Sequence, residues 1–240
     1  MGRVLELNGV SKSFGALLVV DDLSVHLDAG EALGIVGPNG AGKTTLFNLI
    51  TGSIPPDGGT IRFDQHAIVA RAPHLRVRSG LGRTYQIPRP FSGMTVFENV
   101  LVAAAYGAGR SEREAHERCV EILSDTGLLA KVNTLAGSLT ILERKRLELA
   151  RALGTQPTVL LLDEIAGGLT EPEVEELVAL IRSIHDGGMS IIWIEHLLHA
   201  LLAVVDRVQA IHFGRHLIEG LPGEIMQSPE IREVYLGIEG

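Results

Sequence analysis

Over the first thirty positions apolar and polar residues alternate, with Leu5 and Leu7, then Leu23, Val25 and Leu27, falling on one face of an extended chain. This period of two predicts antiparallel strands. From 32 to 36 the alternation stops and a short apolar run reads as a buried strand that leads directly into a glycine-rich turn. A helix is predicted from about 42 to 51, and Gly58-Gly59 turns the chain back into a strand at 60–63.

The middle, roughly 87 to 154, is mainly helical. Three segments there carry the hydroxyl-x-x-carboxylate spacing of a capping box: Thr95/Glu98, Ser111/Glu114 and Thr140/Glu143. The strand–helix rhythm returns with a strand at 159–162 and a helix after Thr170, with Pro172 in its first turn. A strand at 190–194, a helix and a strand near 208–213 follow. Neither an internal repeat nor a low-complexity linker is evident. The helical middle therefore reads as an insertion into a core built from sequence on both sides: one domain over 1–240, its core about 1–86 and 155–240, its helical lobe about 87–154.

Composition narrows this picture. Of 240 residues, 45% are hydrophobic but only 4% aromatic, so the core is aliphatic, as a parallel sheet of Val, Ile and Leu requires. A net charge of −8 argues against a general nucleic-acid binder, which needs cationic surface for phosphates. Cys119 is the single cysteine, which excludes an intrachain disulfide and a cysteine-zinc cluster, and fits a reducing setting. It is expected to be a helix-buried small hydrophobe. The N-terminal stretch lacks the apolar core of a secretory leader, and the longest apolar runs, 100–106 and 200–205, fall short of the roughly 18 residues of a membrane span. A membrane role would come through partners.

The chemistry concentrates in two places. Gly37-Pro38-Asn39-Gly40-Ala41-Gly42-Lys43-Thr44 fits the G-x-x-x-x-G-K-[ST] pattern between a predicted strand and helix. Glycines let backbone N–H groups turn inward around phosphate oxygens, and the following helix adds the positive end of its dipole. Lys43 supplies charge for the β- and γ-phosphates, and the Thr44 hydroxyl can ligate Mg²⁺. A metal held by one hydroxyl wants a carboxylate at the end of a neighbouring buried strand. The run Val159-Leu160-Leu161-Leu162-Asp163 supplies it, and Glu164 follows as the group to orient or deprotonate an attacking water.

With these motifs the chain resembles the nucleotide-binding subunits of ABC transporters over nearly its whole length. The resemblance implies a P-loop NTPase (RecA-like) α/β core with an N-terminal antiparallel β subdomain and an inserted α-helical subdomain, binding ATP and Mg²⁺. It implies that Phe14 stacks on adenine, and that Asn39, Gly40, Ala41, Gly42, Lys43, Thr44 and Thr45 cradle the phosphates. Gln86 would sense metal and attacking water, sharing the metal with Thr44 and Asp163, and His196 would contact the γ-phosphate.

The family signature, usually Leu-Ser-Gly-Gly-Gln, aligns with Leu139-Thr140-Ile141-Leu142-Glu143. Thr140, Leu142 and Glu143 would thus face the nucleotide of a second ATPase subunit, identical or not, paired head to tail. Leu142 stands where a glycine backbone would lie against that γ-phosphate. Ile165 replaces a usual proline, and Thr170 a usual Asp or Asn. One composite site is therefore expected to be weaker than the other.

Residues 82–102 look most like importers of branched-chain and related hydrophobic amino acids, as does the ending Tyr235-Leu236-Gly237, which lipopolysaccharide-export ATPases share. That implies membrane permease partners, an indirect substrate-binding protein, and a peripheral position on the cytoplasmic face of the plasma membrane. A cleft beside Gln86, lined by 87–97, is expected to receive a permease helix. The competing readings are a non-transport ABC ATPase, a lipopolysaccharide-export-type ATPase, and a regulatory subunit that holds ATP with little turnover.

Overall fold

A computed structural model describes residues 2–231 apart from Arg110 and Met226. The Tyr235-Leu236-Gly237 ending lies outside the described residues.

Strands β1 (Arg3–Phe14) and β2 (Leu17–Asp28) form the antiparallel hairpin that the alternation predicts. With β4 (Gly58–Phe63) and β5 (His66–Ala67) they make a four-stranded sheet in the order β2-β1-β4-β5. Between them come β3 (Ala32–Val36) and helix α1 (Lys43–Thr51). Helix α2 (Pro73–Arg78) and strand β6 (Leu81–Arg83) follow.

The helical middle contains α3 (Val96–Val102), α4 (Glu112–Asp125) and α5 (Ile141–Gly154). Each begins with its expected capping box, the Thr95, Ser111 and Thr140 side chains accepting from the N–H three residues on. The chain closes with β7 (Val159–Asp163), α6 (Glu171–Asp186), β8 (Ser190–Ile194), α7 (Leu198–Leu202), β9 (Arg207–His212), β10 (Arg215–Gly220) and α8 (Pro222–Ile225). Helix α6 has a fourth capping box, Thr170/Glu173. Five short elements escaped sequence prediction: β5, α2, β6, β10 and α8. Six residues or fewer give periodicity too little length to act on.

The second sheet runs β10-β9-β3-β8-β7-β6. Its strands are parallel except for β10, which pairs antiparallel with β9 at the edge. Strands β3, β7 and β8 are buried along their whole length, because both faces of the sheet are covered. Alternate residues of β7 serve different cores. Leu160 and Leu162 pack with Trp193, Cys119 and Leu147 under the helical middle. Val159 and Leu161 pack with Phe47, Leu46 and the antiparallel sheet. The helical lobe thus shares a core with the parallel sheet.

Register decides where the chemistry gathers. Ile35 pairs with Ile194, and Ile194 with Asp163, so β3, β8 and β7 end level with one another. Arg83 pairs with Leu161, which brings the exit of β6 to the same edge. Four loops leave the carboxyl edge of a parallel sheet side by side, where such sheets carry ligand crevices.

Candidate active site

Leaving β3, the chain wraps residues 37–42 into a loop that only glycine permits at its tightest points. A Cβ on Gly37 would lie 2.2 Å from the Ile211 carbonyl oxygen. Gly42 caps α1 with φ 98°, and a Cβ there would lie 2.7 Å from the Val19 carbonyl oxygen. Asn39, Gly40, Ala41, Gly42, Lys43, Thr44 and Thr45 line one cavity of about 180 Å³, together with Val19 and Glu164. Lys43 is buried, and its Nζ donates to the carbonyls of Gly37 at 2.6 Å and Pro38 at 3.0 Å. Burial lowers its pKa, while Glu164 and Asp163 favour the charged form. The ammonium is therefore held inside the loop, where a phosphate would meet it.

Across the cavity Glu164 leaves β7 with φ 45°, a left-handed conformation uncommon for a non-glycine residue. Its N–H donates to the Ile194 carbonyl at 2.8 Å, which pins the turn to the end of β8. Two side chains from separate loops close on its carboxylate. Gln86 Nε2 donates to Oε2 at 2.5 Å, and His196 Nε2 lies 2.7 Å from Oε1. Asp163 is buried and pairs through Oδ2 with Arg83 Nη2 at 2.7 Å.

Lys43, Thr44, Asp163, Glu164, Gln86 and His196, named from sequence, are thus brought to one edge of the sheet. Phe14 stands apart at the end of β1, its ring half exposed with Lys12 Nζ 5.7 Å from the centroid. Thr140, Leu142 and Glu143 also stand apart at the start of α5, and none lines the cavity around Lys43. Thr140 and Glu143 cap each other, Glu143 pairs with Lys131 at 3.1 Å, and Leu142 packs against the helical core.

The structure adds residues that sequence reasoning missed. Lys145 is buried and donates to the Gln86 carbonyl at 2.7 Å. Burial lowers its pKa, against the pull of Glu195, Glu148 and Glu164. Glu195, also buried, accepts from the N–H groups of Ala166 at 3.0 Å and His196 at 2.9 Å, so it holds the loops of Glu164 and His196 together. The signal for Lys145 was a cation on the inward side of α5. For Arg83 and Val19 no spacing rule points to the contact.

Beside Tyr85 a cavity of about 210 Å³ is lined by Thr51, Pro73, Val77, Arg83, Tyr85, Glu148 and Arg151. Ile87 and Phe91 are exposed, with Arg151 5.4 Å over the Phe91 ring and donating to the Arg89 carbonyl at 3.0 Å. The 87–97 segment returns to α3 through Asn99, which bonds both backbone groups of Phe91, and so forms an outer wall.

A model of the ABC transporter family matches residues 20–167, well over half of the chain. The chain belongs to the ABC transporter family. It is an ATP-binding subunit of that family and an ATPase. It is 36% identical over 249 residues to the high-affinity branched-chain amino acid transport ATP-binding protein BraF of Pseudomonas aeruginosa, covering 98% of each chain. With LivG of Escherichia coli K12, of the same description, it is 38% identical over 253 residues, again covering 98% of each. The lipopolysaccharide export system ATP-binding protein LptB of Acidithiobacillus ferridurans is 38% identical over 237 residues, with 99% of this chain and 98% of that protein covered.

Among solved structures, a nucleotide-free ATP-binding cassette from an ABC transporter superposes with a TM-score of 0.90 at 27% identity, covering 100% of both chains. The ADP conformation of the cassette MJ1267 gives the same score and identity over 99% of this chain and 100% of that one. This ABC subunit has, among its described residues, no helix long and apolar enough to cross a membrane.

The ABC site also fits a divalent cation. No group of three His, Cys, Asp or Glu that could hold a metal exists among the described residues. A Mg²⁺ that keeps most of its ligands as water and phosphate needs only one or two protein groups. Thr44 is exposed at the mouth of the loop, and Asp163 is anchored, among the described residues, through Oδ2, which suits that mode.

Proposed function

We propose that this ABC subunit hydrolyses Mg-ATP to drive uptake of branched-chain or related hydrophobic amino acids through membrane permease partners. In this reading it is a single ATPase domain of two lobes, about 1–86 with 155–240 and about 87–154. It sits on the cytoplasmic face of the plasma membrane, receives cargo indirectly from a substrate-binding protein, and has no nucleic-acid partner.

The observation that carries the catalytic reading is the convergence of Gln86 and His196 on the two oxygens of Glu164, opposite Lys43. The loop amides and Lys43 bind the β- and γ-phosphates, and Phe14 stacks on the adenine. Mg²⁺, when bound, would be held by Thr44, Asp163 and Gln86 and would neutralise phosphate charge. Glu164 orients and deprotonates the attacking water, while His196 and Gln86 read the γ-phosphate once it draws them from the carboxylate. Most of the acceleration comes from positioning and preorganised charge.

The cargo reading is supported by BraF and LivG, each matched over 98% of its length. LptB keeps a lipopolysaccharide-export alternative open, at similar identity. A second reading, of a slow or regulatory subunit, is favoured by Leu142, whose side chain occupies the start of α5 where a partner's γ-phosphate would approach a bare backbone. In a heterodimer the impaired site would be the one built on the partner's loop, and Lys43 and Glu164 would serve the stronger one.

Reconstitution of the chain with its co-encoded membrane subunits in proteoliposomes tests this. ATP-dependent leucine uptake is expected, and Lys43→Ala should abolish both uptake and hydrolysis. Vigorous hydrolysis without uptake of any hydrophobic amino acid would overturn the cargo reading. Hydrolysis unaffected by Lys43→Ala would overturn the site.

A further inference from the structure

Arg83 closes β6, three residues before Gln86, and its guanidinium is gripped from several sides. Nη2 pairs with Asp163 Oδ2 at 2.7 Å, and Nη1 donates to Asn48 Oδ1 at 2.8 Å. The rings of Phe47 and Tyr85 flank it, with centroids 5.5 Å and 4.9 Å from Cζ. The Arg83 and Asp163 side chains are only 6% and 5% exposed. Asn48 and Phe47 belong to α1, the helix that opens with Lys43 and Thr44. One rigid cation therefore ties the end of β7 to the phosphate-loop helix.

Stability alone explains such a pair poorly, because desolvation of both charges offsets much of their attraction. Direction is the better explanation. A carboxylate held through Oδ2 by a planar donor has its rotation fixed and Oδ1 left to face another ligand. Outer contacts of this kind orient metal-binding side chains and tune their affinity. The backbone agrees: Asp163 N–H donates to Thr84 Oγ1 at 3.2 Å, and Thr84 N–H to the Leu161 carbonyl at 2.9 Å, so β6 and β7 lock both ends of the pair.

We infer that Arg83 is a positioning residue, fixing the Asp163 carboxylate so that its free oxygen presents to the cation of bound Mg-ATP. This rests on Asp163 being the metal-side carboxylate. A lysine cannot substitute, since an ammonium has neither the fork that reaches Asp163 and Asn48 together nor the flat face that packs between two rings.

The test uses the full chain and equilibrium binding of a fluorescent ATP analogue, in EDTA and along a Mg²⁺ titration, for Arg83→Gln, Arg83→Lys, Asp163→Asn and the Arg83→Gln/Asp163→Asn double variant. Arg83→Gln should raise the half-saturating Mg²⁺ concentration by about tenfold or more while leaving affinity in EDTA within about twofold. Arg83→Lys should restore less than half of the loss. The double variant should match Asp163→Asn alone, because Arg83 acts through that carboxylate.

The inference is overturned if Arg83→Gln keeps the wild-type Mg²⁺ requirement while Asp163→Asn changes it. It is overturned equally if Arg83→Gln tightens Mg²⁺ binding, which would make the guanidinium a competitor, or if affinity in EDTA falls in step, which would make it purely structural. Should Arg83→Gln not fold, Arg83→Lys, which keeps the charge, decides on the same readings. An Asp163→Asn variant with an unchanged Mg²⁺ requirement would instead remove the reading of Asp163 itself.

Discussion

His196 Nε2 lies 2.7 Å from Oε1 of Glu164, although the two residues leave different strands. The contact exists because Ile194 pairs with Asp163 in register, which sets the loops after β8 and β7 side by side. Glu164 accepts from Gln86 as well, so the proposed base is held by both groups proposed to read the γ-phosphate.

If Glu164 is the base, Glu164→Gln lowers kcat by about 10²–10⁴-fold with ATP still bound. His196→Ala and Gln86→Ala each lower kcat by about 10²-fold. Combining them should cost less than the product of the single effects, since both act on one carboxylate. Phosphate release with parallel nucleotide-binding measurements checks this, and a Glu164→Gln variant that turns over like the parent refutes the assignment.

Leu142 gives a prediction with two opposite signs. Leu142→Gly should raise turnover of the assembled dimer several-fold by letting backbone approach the partner's phosphate. It should also destabilise the isolated chain by about 1–3 kcal/mol, because Leu142 packs on the helical core and glycine weakens a helix. Turnover of the dimer and thermal unfolding of the chain separate the two. Unchanged turnover would mean that Leu142 does not limit the composite site.

Arg76 is a buried cation whose hydrogen bonds, among the described residues, all go to backbone carbonyls. They are those of Leu49, Ile50, Val69 and Arg71, at 2.8–3.0 Å. Two of these close the C-terminal end of α1, where a positive charge also suits the helix dipole. Arg76→Met takes a donor from all four carbonyls, of which Leu49 keeps the Gly52 N–H at 3.2 Å, and should cost about 3 kcal/mol or more. At about 2–4 °C per kcal/mol for a chain of this size, the midpoint of thermal unfolding should fall by about 6–12 °C. A loss under about 1 kcal/mol would show that water replaces the guanidinium there.

Burial raises the pKa of Glu148, and Arg151 2.9 Å away only partly opposes this. An acid whose folded pKa lies above its unfolded value favours folding below the unfolded pKa and loses that contribution as pH rises through the folded one. Glu148→Gln removes this titration. Its unfolding midpoint relative to the parent should therefore climb between pH 4 and pH 8. A constant difference across that range would show that Arg151 fully compensates the buried charge.

Cys119 is fully buried in α4, and burial pushes its thiol up to about 11. A water-soluble thiol reagent at pH 8 should label the folded chain at least about 10²-fold more slowly than the urea-unfolded chain, because both access and thiolate are suppressed. Comparable rates would place the thiol at the surface.

The sequence by itself determined the order of the longer elements and named the residues of the candidate site. Periods of two along β1 and β2, apolar runs at β3, β7 and β8, and the hydroxyl–carboxylate spacing before α3, α4 and α5 are local signals, decided by residues within one turn or one pleat of each other. The proposed phosphate loop is legible for the same reason, since its glycines Gly37, Gly40 and Gly42 all take positive φ.

Only the tertiary structure decided what meets what. That Arg83 finds Asp163, that Lys145 reaches the Gln86 carbonyl, and that Glu195 holds the Ala166 amide all depend on strand register and on the seating of α5. These pairs lie 29 to 80 residues apart in the chain. No local propensity encodes such partners. They follow from burial, which leaves a polar group in the interior few neighbours able to satisfy it.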